Sequence, residues 1–521
     1  MKKTCLLIIA CLALCFVGCT EEPPFKLSVS NDEVVQVGSQ MHLSANAEVV
    51  WSSSNPLIAT VDELGIVVGI SQGNVTITAT LKSDATVFVK HQVTVIPSTN
   101  PPCEECEECK ECEECKECPE GGVCPTFSFP EPSSEEEVFV ELGIDRLDEY
   151  LDWFSGKRVG LITNQTGFNR NLVSTIDILY EKVNLVALFA PEHGIRGDRQ
   201  AGAYIPSYVD EKTGLTVYSL YGATKKPTVD MMNLVDVLCI DIQDAGARFY
   251  TYIYTMAYAM EACQENNKTF IVFDRPNPAG GQHYEGNILD MEYSSFIGKY
   301  PILQRHGMTI AELAYMFNEE FGIACDLKVV LMRGWGRYMY YDDTKLPWVT
   351  PSPNLPSVET AIVYSGTCII EGTNMSEGRG TTTPFQVVGA PYINAWDYAE
   401  ALNALNLPGV VFRPASFTPT FSKHANTLCH GVQVHVIDRA TFQAVKTGWA
   451  LVDVVRDMYP NDFTILNPNT KLNTMNLLTG GNFITKDLYT LEQQFALIIA
   501  DTETFSATRN KYLLYIEEPQ A

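Results

Sequence analysis

The chain has 521 residues, of which 46% are hydrophobic and 10% aromatic, so it is long enough for several domains with sizeable cores. It contains 63 acidic and 36 basic residues, which give a net charge of −27. This acidic excess argues against a nucleic-acid partner, because the phosphate backbone attracts lysine and arginine.

The N-terminal segment has the pattern of an export signal. Two lysines precede an apolar run over residues 6–18 that is too short to span a bilayer, and the run ends in Val-Gly directly before Cys19. We expect residues 1–18 to be a lipoprotein signal peptide, Cys19 to be lipidated and residues 19–25 to form a tether; the alternative is an ordinary cleaved secretion signal. No later stretch reaches about 18 uninterrupted apolar residues. The sequence therefore predicts a membrane-anchored lipoprotein, in the periplasm or at the outer-membrane surface.

Residues 26–97 have the pattern of a small all-β domain. Runs with strand-like alternation are separated by Asn-Pro and glycine turns, at residues 34–37, 42–47, 49–51, 75–80 and 87–95. The stretch WSSSNPLIATVDELGIVVGISQGNVTITAT, residues 51–80, resembles a bacterial immunoglobulin-like domain of group 2. That resemblance implies a spacer or an adhesive module, and the segment contains no catalytic constellation.

Residues 98–137 form a Cys/Glu-rich linker. Six cysteines recur at every third position, a period that aligns side chains on one face of a polyproline-type helix: Cys103, Cys106, Cys109, Cys112, Cys115 and Cys118. Repeated CxxC suits a soft-metal or redox tract. We favour a low-complexity stalk with internal disulfides, because no histidine accompanies the thiols. No metal site is predicted.

Residues 138–300 alternate between strands and helices. Strands rich in Val, Ile and Leu are predicted at residues 158–163, 183–189, 216–220, 235–242 and 269–273, with helices at 172–180 and 250–264. Nearly continuous apolar strands separated by helices indicate a parallel sheet that is covered on both faces. We therefore predict an α/β, Rossmann-like catalytic lobe.

The order of elements changes after residue 300. Helices are predicted at residues 309–321, 440–458 and 488–499, and strands at 327–332, 360–364 and 431–436. This order favours a smaller α+β C-terminal lobe over residues 301–521. The whole chain is thus predicted to be multidomain, with an immunoglobulin-like domain, a linker and two further lobes.

Polar side chains follow five predicted strands of the first lobe. They are Asn164 and Gln165, Glu192 and His193, Tyr221, Asp241, Gln243 and Asp244, and finally Asp274, Arg275, Asn277 and Glu285. Because the carboxyl ends of parallel strands meet at one edge of a sheet, we expect these groups to converge. The lobe lacks GxGxxG and GxxxxGK[ST], so no cofactor is predicted. Carboxylates, amides and tyrosines instead suit the recognition of a sugar.

The loop APEHGIRGDRQAGA, residues 190–203, carries the strongest candidate for catalysis. Hydrolysis of a glycosidic bond needs a carboxylic acid that protonates the leaving oxygen. Glu192 follows Pro191 at a strand end, where partial burial can raise its pKa, and we interpret it as this acid. The alternative is a loop-stabilising salt bridge with Arg196 or Arg199.

Three further carboxylates of the first lobe are candidates. Asp241 and Asp244 are the second choice for a catalytic role, although aspartate at a strand end often caps the following turn. Glu285, in the sequence HYEGNILD, is the third.

The second lobe contributes the polar run EGTNMSEGRGTTTPF, residues 371–385. A loop of this length and polarity is either solvated or lines a cleft. Its candidate substrate-binding residues are Glu371, Asn374, Glu377 and Arg379. Arg379 or Arg248 is expected to pair with a substrate carboxylate. His306 and His424 have no spaced partner and are interpreted as packing or hydrogen-bonding residues.

Eight long motifs follow one another in an order typical of a single family. They are GLITNQTGFNR, APEHGIRGDRQAGA, YSLYG, CIDIQDAGARFYTYIYTM, FDRPNP, YPILQRHGMTIAELA, PWVTPSPNLPS and EGTNMSEGRGTTTPF. They resemble the exo-β-N-acetylmuramidases of the NamZ type from about residue 140 to the C-terminus.

The resemblance implies release of terminal N-acetylmuramic acid from the non-reducing end of peptidoglycan fragments. It also implies a cleft between a Rossmann-like lobe and a smaller lobe, with Glu192 as the catalytic residue. The groups expected to bind the muropeptide or disaccharide are Asn164, His193, Arg196, Gln243, Arg248, Tyr250, Glu285, Glu371, Asn374, Glu377 and Arg379.

Two mechanisms remain open at this stage. The 2-acetamido group of the sugar permits substrate assistance, with Asp241 or Asp244 orienting the amide, whereas a pair of direct carboxylates is the competing route. Two other functions also remain. A surface lipoprotein that binds muropeptides without turnover is the main alternative, and an esterase is disfavoured by the absence of a GxSxG elbow.

Overall fold

The structure is a computed structural model that describes residues 34–37, 39–56, 58–62, 64–83, 86–96, 140–192, 194–195 and 207–515. Cys19, the cysteine tract, His193 and Arg196 lie outside these residues. The chain divides into two compact units, Met1–Pro132 and Ser133–Ala521, which are described separately. Within the described residues, no helix is long and apolar enough to cross a membrane.

The first unit is a pair of β-sheets packed on one apolar core. Its strands are β1 Val34–Gln36, β2 Gln40–His42, β3 Val49–Ser53, β4 Ala59–Val61, β5 Ile66–Gly69, β6 Gly73–Leu81 and β7 Phe88–Ile96. One sheet has the order β1-β7-β6-β3 and the other the order β2-β5-β4. The strand predicted at 42–47 overlaps the observed strand β2, Gln40–His42, at one residue only. The strands β4 and β5 were not predicted, because they have only three and four residues.

The second unit is built on a seven-stranded sheet. Its strands are β8 Val159–Thr163, β9 Leu185–Ala190, β10 Tyr208–Val209, β11 Thr216–Ser219, β12 Val237–Asp241, β13 Thr269–Phe273 and β14 Asp326–Val330. The order is β10-β11-β9-β8-β12-β13-β14, and only β10 is antiparallel to its neighbour. Every residue of β8 and β12 is buried, which explains their continuous apolar sequences.

Helices connect and cover these strands. They are α1 Thr175–Lys182, α2 Val229–Met232, α3 Tyr252–Glu265 and α4 Ile310–Glu319. The Thr309 side chain caps the start of α4 by accepting a hydrogen bond from the Glu312 backbone, and the Glu312 side chain accepts one from the Thr309 backbone. Because β14 follows α4 and pairs with β13, the sheet extends to Val330. The expected lobe boundary at residue 300 therefore falls inside the sheet-bearing part and is corrected.

The C-terminal part combines helices with a small antiparallel sheet. Its elements are α5 Val358–Thr367, β15 Val387–Ala390, α6 Ala395–Ala404, β16 Val410–Phe417, β17 Cys429–Val436, α7 Ala444–Met458, α8 Thr474–Thr479 and α9 Leu491–Arg509. The sheet has the order β15-β17-β16.

The strand predicted at 360–364 is wrong, because these residues lie in α5. The Ser357 side chain caps this helix by accepting a hydrogen bond from the Thr360 backbone at 3.3 Å. Gly366 of α5 then packs directly on α7, where an added Cβ would lie 1.8 Å from the Ala444 carbonyl oxygen. A helix buried on nearly all sides has no polar face, so its sequence cannot be distinguished from a buried strand.

Candidate active site

Glu192 lies two residues beyond the carboxyl end of β9, at the edge of the sheet where β8 and β12 also end. Its side chain is half-buried, and Oε2 accepts a hydrogen bond from Thr251 Oγ1 at 3.2 Å. Burial, the Glu192 charge and a hydrogen bond to Glu192 together raise the pKa of Tyr221 to about 12. Tyr221 therefore stays protonated and donates to this carboxylate.

Glu192 opens into a cavity of about 210 Å³, which we call the Glu192 cavity. Aromatic side chains make up much of its wall: Tyr221, Phe249, Tyr250, Tyr252, Phe296, Tyr364 and Phe385. Several of these rings pack edge to face, including Tyr250 with Tyr364 at 5.9 Å and Tyr364 with Phe385 at 4.8 Å between centroids. Such a wall offers faces on which a sugar ring can stack.

Tyr250 brings a buried hydroxyl to this wall. Burial first, and then the neighbouring tyrosines and Glu192, raise the pKa of Tyr250 well above its ordinary value, so the hydroxyl stays neutral. That hydroxyl has no partner in good hydrogen-bond geometry within the described ranges. The neighbouring Tyr252 donates instead to the Pro351 carbonyl at 2.8 Å. Tyr250 is therefore available to a bound ligand.

Glu371 and Arg379, from a charged cluster of the C-terminal part, also line the Glu192 cavity. Arg379 Nη2 donates to Glu371 at 2.6 Å, and Arg379 Nε lies 3.3 Å from Glu377. Lys423 Nζ lies 2.9 Å from Glu377. Although burial works against its charge, the carboxylates of Glu371 and Glu377 raise the pKa of Arg379 above its ordinary value. Arg379 is thus a fixed cation at the cavity.

A second, wider space adjoins the Glu192 cavity. This outer basin has a volume of about 780 Å³, and its lining includes Phe421, Lys423 and Leu466. It shares Asn354, Glu371 and Arg379 with the Glu192 cavity. The two spaces together give a narrow chamber at Glu192 and a broader approach beside Arg379.

Asp241 differs from Glu192 in its burial and in its hydrogen-bond partners. Asp241 is 1% exposed and does not line the Glu192 cavity. Arg275 donates to both of its carboxylate oxygens, through Nε at 2.5 Å and Nη2 at 2.9 Å, and the Thr175 hydroxyl also donates to it. A carboxylate committed in this way holds the sheet edge together, which argues against the expected catalytic role.

Asp244 and Gln243 also face inward. Asp244 Oδ2 accepts a hydrogen bond from the Gly246 backbone at 2.7 Å and lies 3.4 Å from His306 Nε2. Gln243 Nε2 donates to the carbonyls of Asp244 and Pro276. Neither residue lines the Glu192 cavity, but Gln243 Oε1 and Asp244 Oδ1 are buried without a hydrogen-bond partner in the described chain, so their expected substrate contacts stay a prediction.

Three other candidates have structural roles. Arg248 is fully buried and donates to the carbonyls of Asn287, Ile302 and Leu478. The Asn374 side chain accepts hydrogen bonds from the Tyr392 hydroxyl and the Thr464 backbone and donates one to the Asp462 carbonyl. Asn164 is buried and accepts from Thr166 through its backbone and hydroxyl. None of the three lines either space, so Arg379 alone remains of the two expected carboxylate-binding arginines.

Glu285 lies in another cavity, which we call the Glu285 cavity. Burial raises the pKa of Glu285, against the lowering effect of Arg305. This cavity shares no lining residue with the Glu192 cavity, so the expected contact of Glu285 with the same substrate is corrected.

Sequence reasoning assigned no role to several residues of the site. Thr251 lies in the motif CIDIQDAGARFYTYIYTM, Lys423 lies in none of the eight motifs, and Tyr364 lies in a segment predicted to be a strand. Tyr221 stands at a predicted strand end, but its contact with Glu192 is visible only in the folded chain. Among the described residues, no group of three or more metal-ligating side chains is present.

A half-buried carboxylate in an aromatic cavity, beside a fixed arginine, is typical of a carbohydrate-processing enzyme. The comparisons with known proteins agree. The profile described as exo-beta-N-acetylmuramidase NamZ, N-terminal, matches residues 159–359, and its C-terminal counterpart matches residues 362–515. The profile of the bacterial Ig-like domain (group 2) matches residues 23–91.

Relatives of known name or structure cover the same region. The peptidoglycan beta-N-acetylmuramidase NamZ of Bacillus subtilis (strain 168) is 56% identical over 382 residues, which are 72% of this chain and 91% of that protein. Crystal structures of two DUF1343 family proteins from Bacteroides fragilis NCTC 9343 align with TM-scores of 0.68 and 0.58, at 41% and 33% identity. Each alignment covers 73% of this chain and 99% of the other. The chain belongs to the NamZ exo-β-N-acetylmuramidase family and is a glycosidase.

Proposed function

We propose that this glycosidase releases N-acetylmuramic acid from the non-reducing end of peptidoglycan fragments, with Glu192 as the general acid. The observation that carries the proposal is the environment of Glu192, a half-buried carboxylate with hydrogen bonds from Thr251 and Tyr221 in an aromatic cavity. The name of the Bacillus subtilis relative supports the substrate class.

The size of the Glu192 cavity supports exo action. Its volume of about 210 Å³ is below the roughly 300–1,000 Å³ that is usual for pockets of drug-sized ligands. One terminal sugar therefore occupies the cavity, and the remainder of the fragment extends into the outer basin. In this arrangement the glycosidic oxygen lies in the Glu192 cavity, within hydrogen-bond reach of Glu192, which protonates it.

Arg379 supplies selectivity for the muramic acid. This sugar differs from N-acetylglucosamine by a lactyl ether that ends in a carboxylate. Arg379 lines both spaces, and Nη1 has no hydrogen bond among the contacts within the described chain, which leaves it for that carboxylate. Tyr250 offers its hydroxyl to the sugar or its acetamido group.

The mechanism after protonation has two candidate forms. Glu371 is the second carboxylate that lines the Glu192 cavity, and burial raises its pKa although Arg379 opposes this. It is the candidate partner for a two-carboxylate route. In the substrate-assisted route, the acetamido oxygen attacks the anomeric carbon and the polar wall near Tyr250 orients the amide.

The test compares turnover of a chromogenic β-N-acetylmuramide by the wild type and by Glu192→Gln. We expect release of the chromophore by the wild type and its loss in the variant. Saturable muropeptide binding by the wild type without any released sugar would favour the alternative, a surface binding protein. Equal turnover by both proteins would remove Glu192 from the mechanism.

We also infer that the N-terminal segment anchors the enzyme to a membrane through a lipid on Cys19, and that the sheet-bearing part is a Rossmann-like lobe. The sequence pattern before Cys19 supports the first inference, and the parallel order of β9, β8, β12 and β13 supports the second. Metabolic labelling with an alkyne fatty acid tests the anchor, since label is expected on the wild type and not on Cys19→Ala. Equal labelling would contradict it.

A further inference from the structure

The Glu285 cavity is separate from the proposed catalytic site. It has a volume of about 260 Å³ and lies between the Gln282–Glu285 segment, the start of α7 and the middle of α9. Its apolar wall consists of Phe442, Ile498 and Ile499. Phe442 and Ile498 are each 2% exposed and form its inner wall, whereas Ile499 is 49% exposed and marks the side that opens to solvent. Unpaired polar atoms at the inner wall are costly.

Three polar atoms of the lining have no hydrogen-bond partner among the residues with described positions. They are Glu285 Oε2, Arg305 Nε and Thr502 Oγ1. Glu285 is 8% exposed and Arg305 is 1% exposed, so bulk solvent does not satisfy the first two. Buried polar groups are normally hydrogen-bonded, and a cluster of exceptions around one cavity points to a ligand.

The structural role of Glu285 accounts for only part of its carboxylate. The backbone N–H groups of Ala444 and Val445, at the start of α7, face the Glu285 side chain, and Val445 donates to Oε1 at 3.1 Å. Arg305 Nη1 lies 3.8 Å from the same oxygen. Capping α7 therefore uses Oε1 and leaves Oε2 as an acceptor, while Arg305 Nε remains as a donor.

We propose that the Glu285 cavity binds a small ligand in which a secondary amide stands beside an apolar group. The amide N–H donates to Glu285 Oε2, the amide oxygen accepts from Arg305 Nε, and the apolar group packs on Phe442 and Ile498. A carboxylate ligand has no donor for Glu285 Oε2, and a simple amine leaves Arg305 Nε unpaired. An amide is the group that satisfies both atoms at once.

Two kinds of small molecule carry this chemistry. An N-acetylated sugar presents its acetamido N–H, oxygen and methyl group in this arrangement, and a short peptide presents a backbone amide beside a side chain. The proposal does not depend on the catalytic role of Glu192, because the two cavities share no lining residue.

The experiment measures binding of two probes, N-acetylglucosamine and N-acetylalanine methylamide, to the full-length protein by ligand-observed NMR. Glu285→Gln keeps an oxygen for the Val445 N–H but presents an amide donor in place of Oε2. Thr502→Phe fills the cavity from α9. Thr504→Phe, two residues further along the same helix and exposed, is the matched control.

We expect binding of at least one probe to weaken about tenfold or more in Glu285→Gln and Thr502→Phe and to stay unchanged in Thr504→Phe. Binding of the sugar alone or of the peptide alone assigns the source of the amide, and binding of both assigns recognition to the amide itself. All variants are checked for circular dichroism and for turnover of the chromogenic muramide, which are expected to match the wild type. Absence of saturable binding of both probes, or equal binding by all folded variants, overturns the proposal.

Discussion

Two acidic residues at the edge of the seven-stranded sheet, Glu192 and Asp241, have opposite character. Glu192, after β9, is half-buried, lines a cavity and accepts hydrogen bonds from neutral hydroxyls. Asp241, at the end of β12, is fully buried and is held by Arg275 and Thr175. Both positions follow from the same rule of parallel sheets. Position at the edge therefore brings acids together, and the partners of each carboxylate decide whether it is available for chemistry.

The largest expected effect is the loss of activity on substitution of Glu192, the carboxylate that is available for chemistry. Removing the acid should reduce kcat/KM for a β-N-acetylmuramide by about 10²–10⁴-fold in Glu192→Gln, since this is the usual contribution of a general acid. The melting temperature should stay close to that of the wild type, because the side chain is half-buried and the substitution preserves its shape. Loss of activity together with unfolding would mean that Glu192 is structural.

Substitution of Asp241, the carboxylate paired with Arg275, should instead reduce the stability of the protein. Asp241→Asn leaves the buried Arg275 charge without its counter-ion, which should reduce the free energy of unfolding by about 3–5 kcal/mol. Denaturant unfolding measures this, and Asp148→Asn, in an exposed pair with Lys182, is the control for which a far smaller loss is expected. A stable but inactive Asp241→Asn protein would restore the catalytic interpretation of Asp241.

Substitution of Arg379 should affect the KM for the proposed substrate more than the KM for its close analogue. Arg379→Lys keeps the positive charge but removes the Nη1 donor, so the KM for the muramide should rise about tenfold. The KM for the corresponding glucosaminide, which has no lactyl carboxylate, should change much less. Arg413→Lys, an exposed arginine on β16, is the control. Parallel changes for both substrates would show that Arg379 acts only through its contacts with Glu371 and Glu377.

The smallest expected effect concerns Asp274, at the end of β13. Burial raises the pKa of Asp274 from its ordinary value of 3.8 to about 7. Between these values the folded protein retains a proton that the unfolded chain has lost, so this group's contribution to stability falls as pH rises through the window. Asp274→Asn should flatten the fall in unfolding free energy between pH 4 and 7, and the exposed Asp457→Asn should not. An unchanged profile in Asp274→Asn would contradict the assignment.

Much of the fold was predictable, since the strands of the parallel sheet are short apolar runs with clear ends. The prediction for β13, residues 269–273, has the same bounds as the structure, and β8 differs by one residue at its start. Helix α5 was not predictable because both of its faces are buried, and the chain there lacks the polar periodicity of a surface helix.

The site was predictable only in part, for a related reason. The sequence places Glu192 and Asp241 equally well at a strand end, but it does not reveal that Arg275 lies against Asp241 and not against Glu192. Likewise, Arg248 and Arg379 are equivalent as cations in the sequence, whereas three backbone carbonyls bind the first. Partners distant along the chain carry this information, and a single sequence does not show them.

The most direct test of the account is a crystal structure of Glu192→Gln with a disaccharide of N-acetylmuramic acid and N-acetylglucosamine. We expect the muramic acid in the Glu192 cavity, its carboxylate at Arg379, and the glycosidic oxygen within about 3 Å of the side chain at position 192. A disaccharide bound with its glycosidic oxygen out of reach of that side chain, or bound only in the Glu285 cavity, would contradict it.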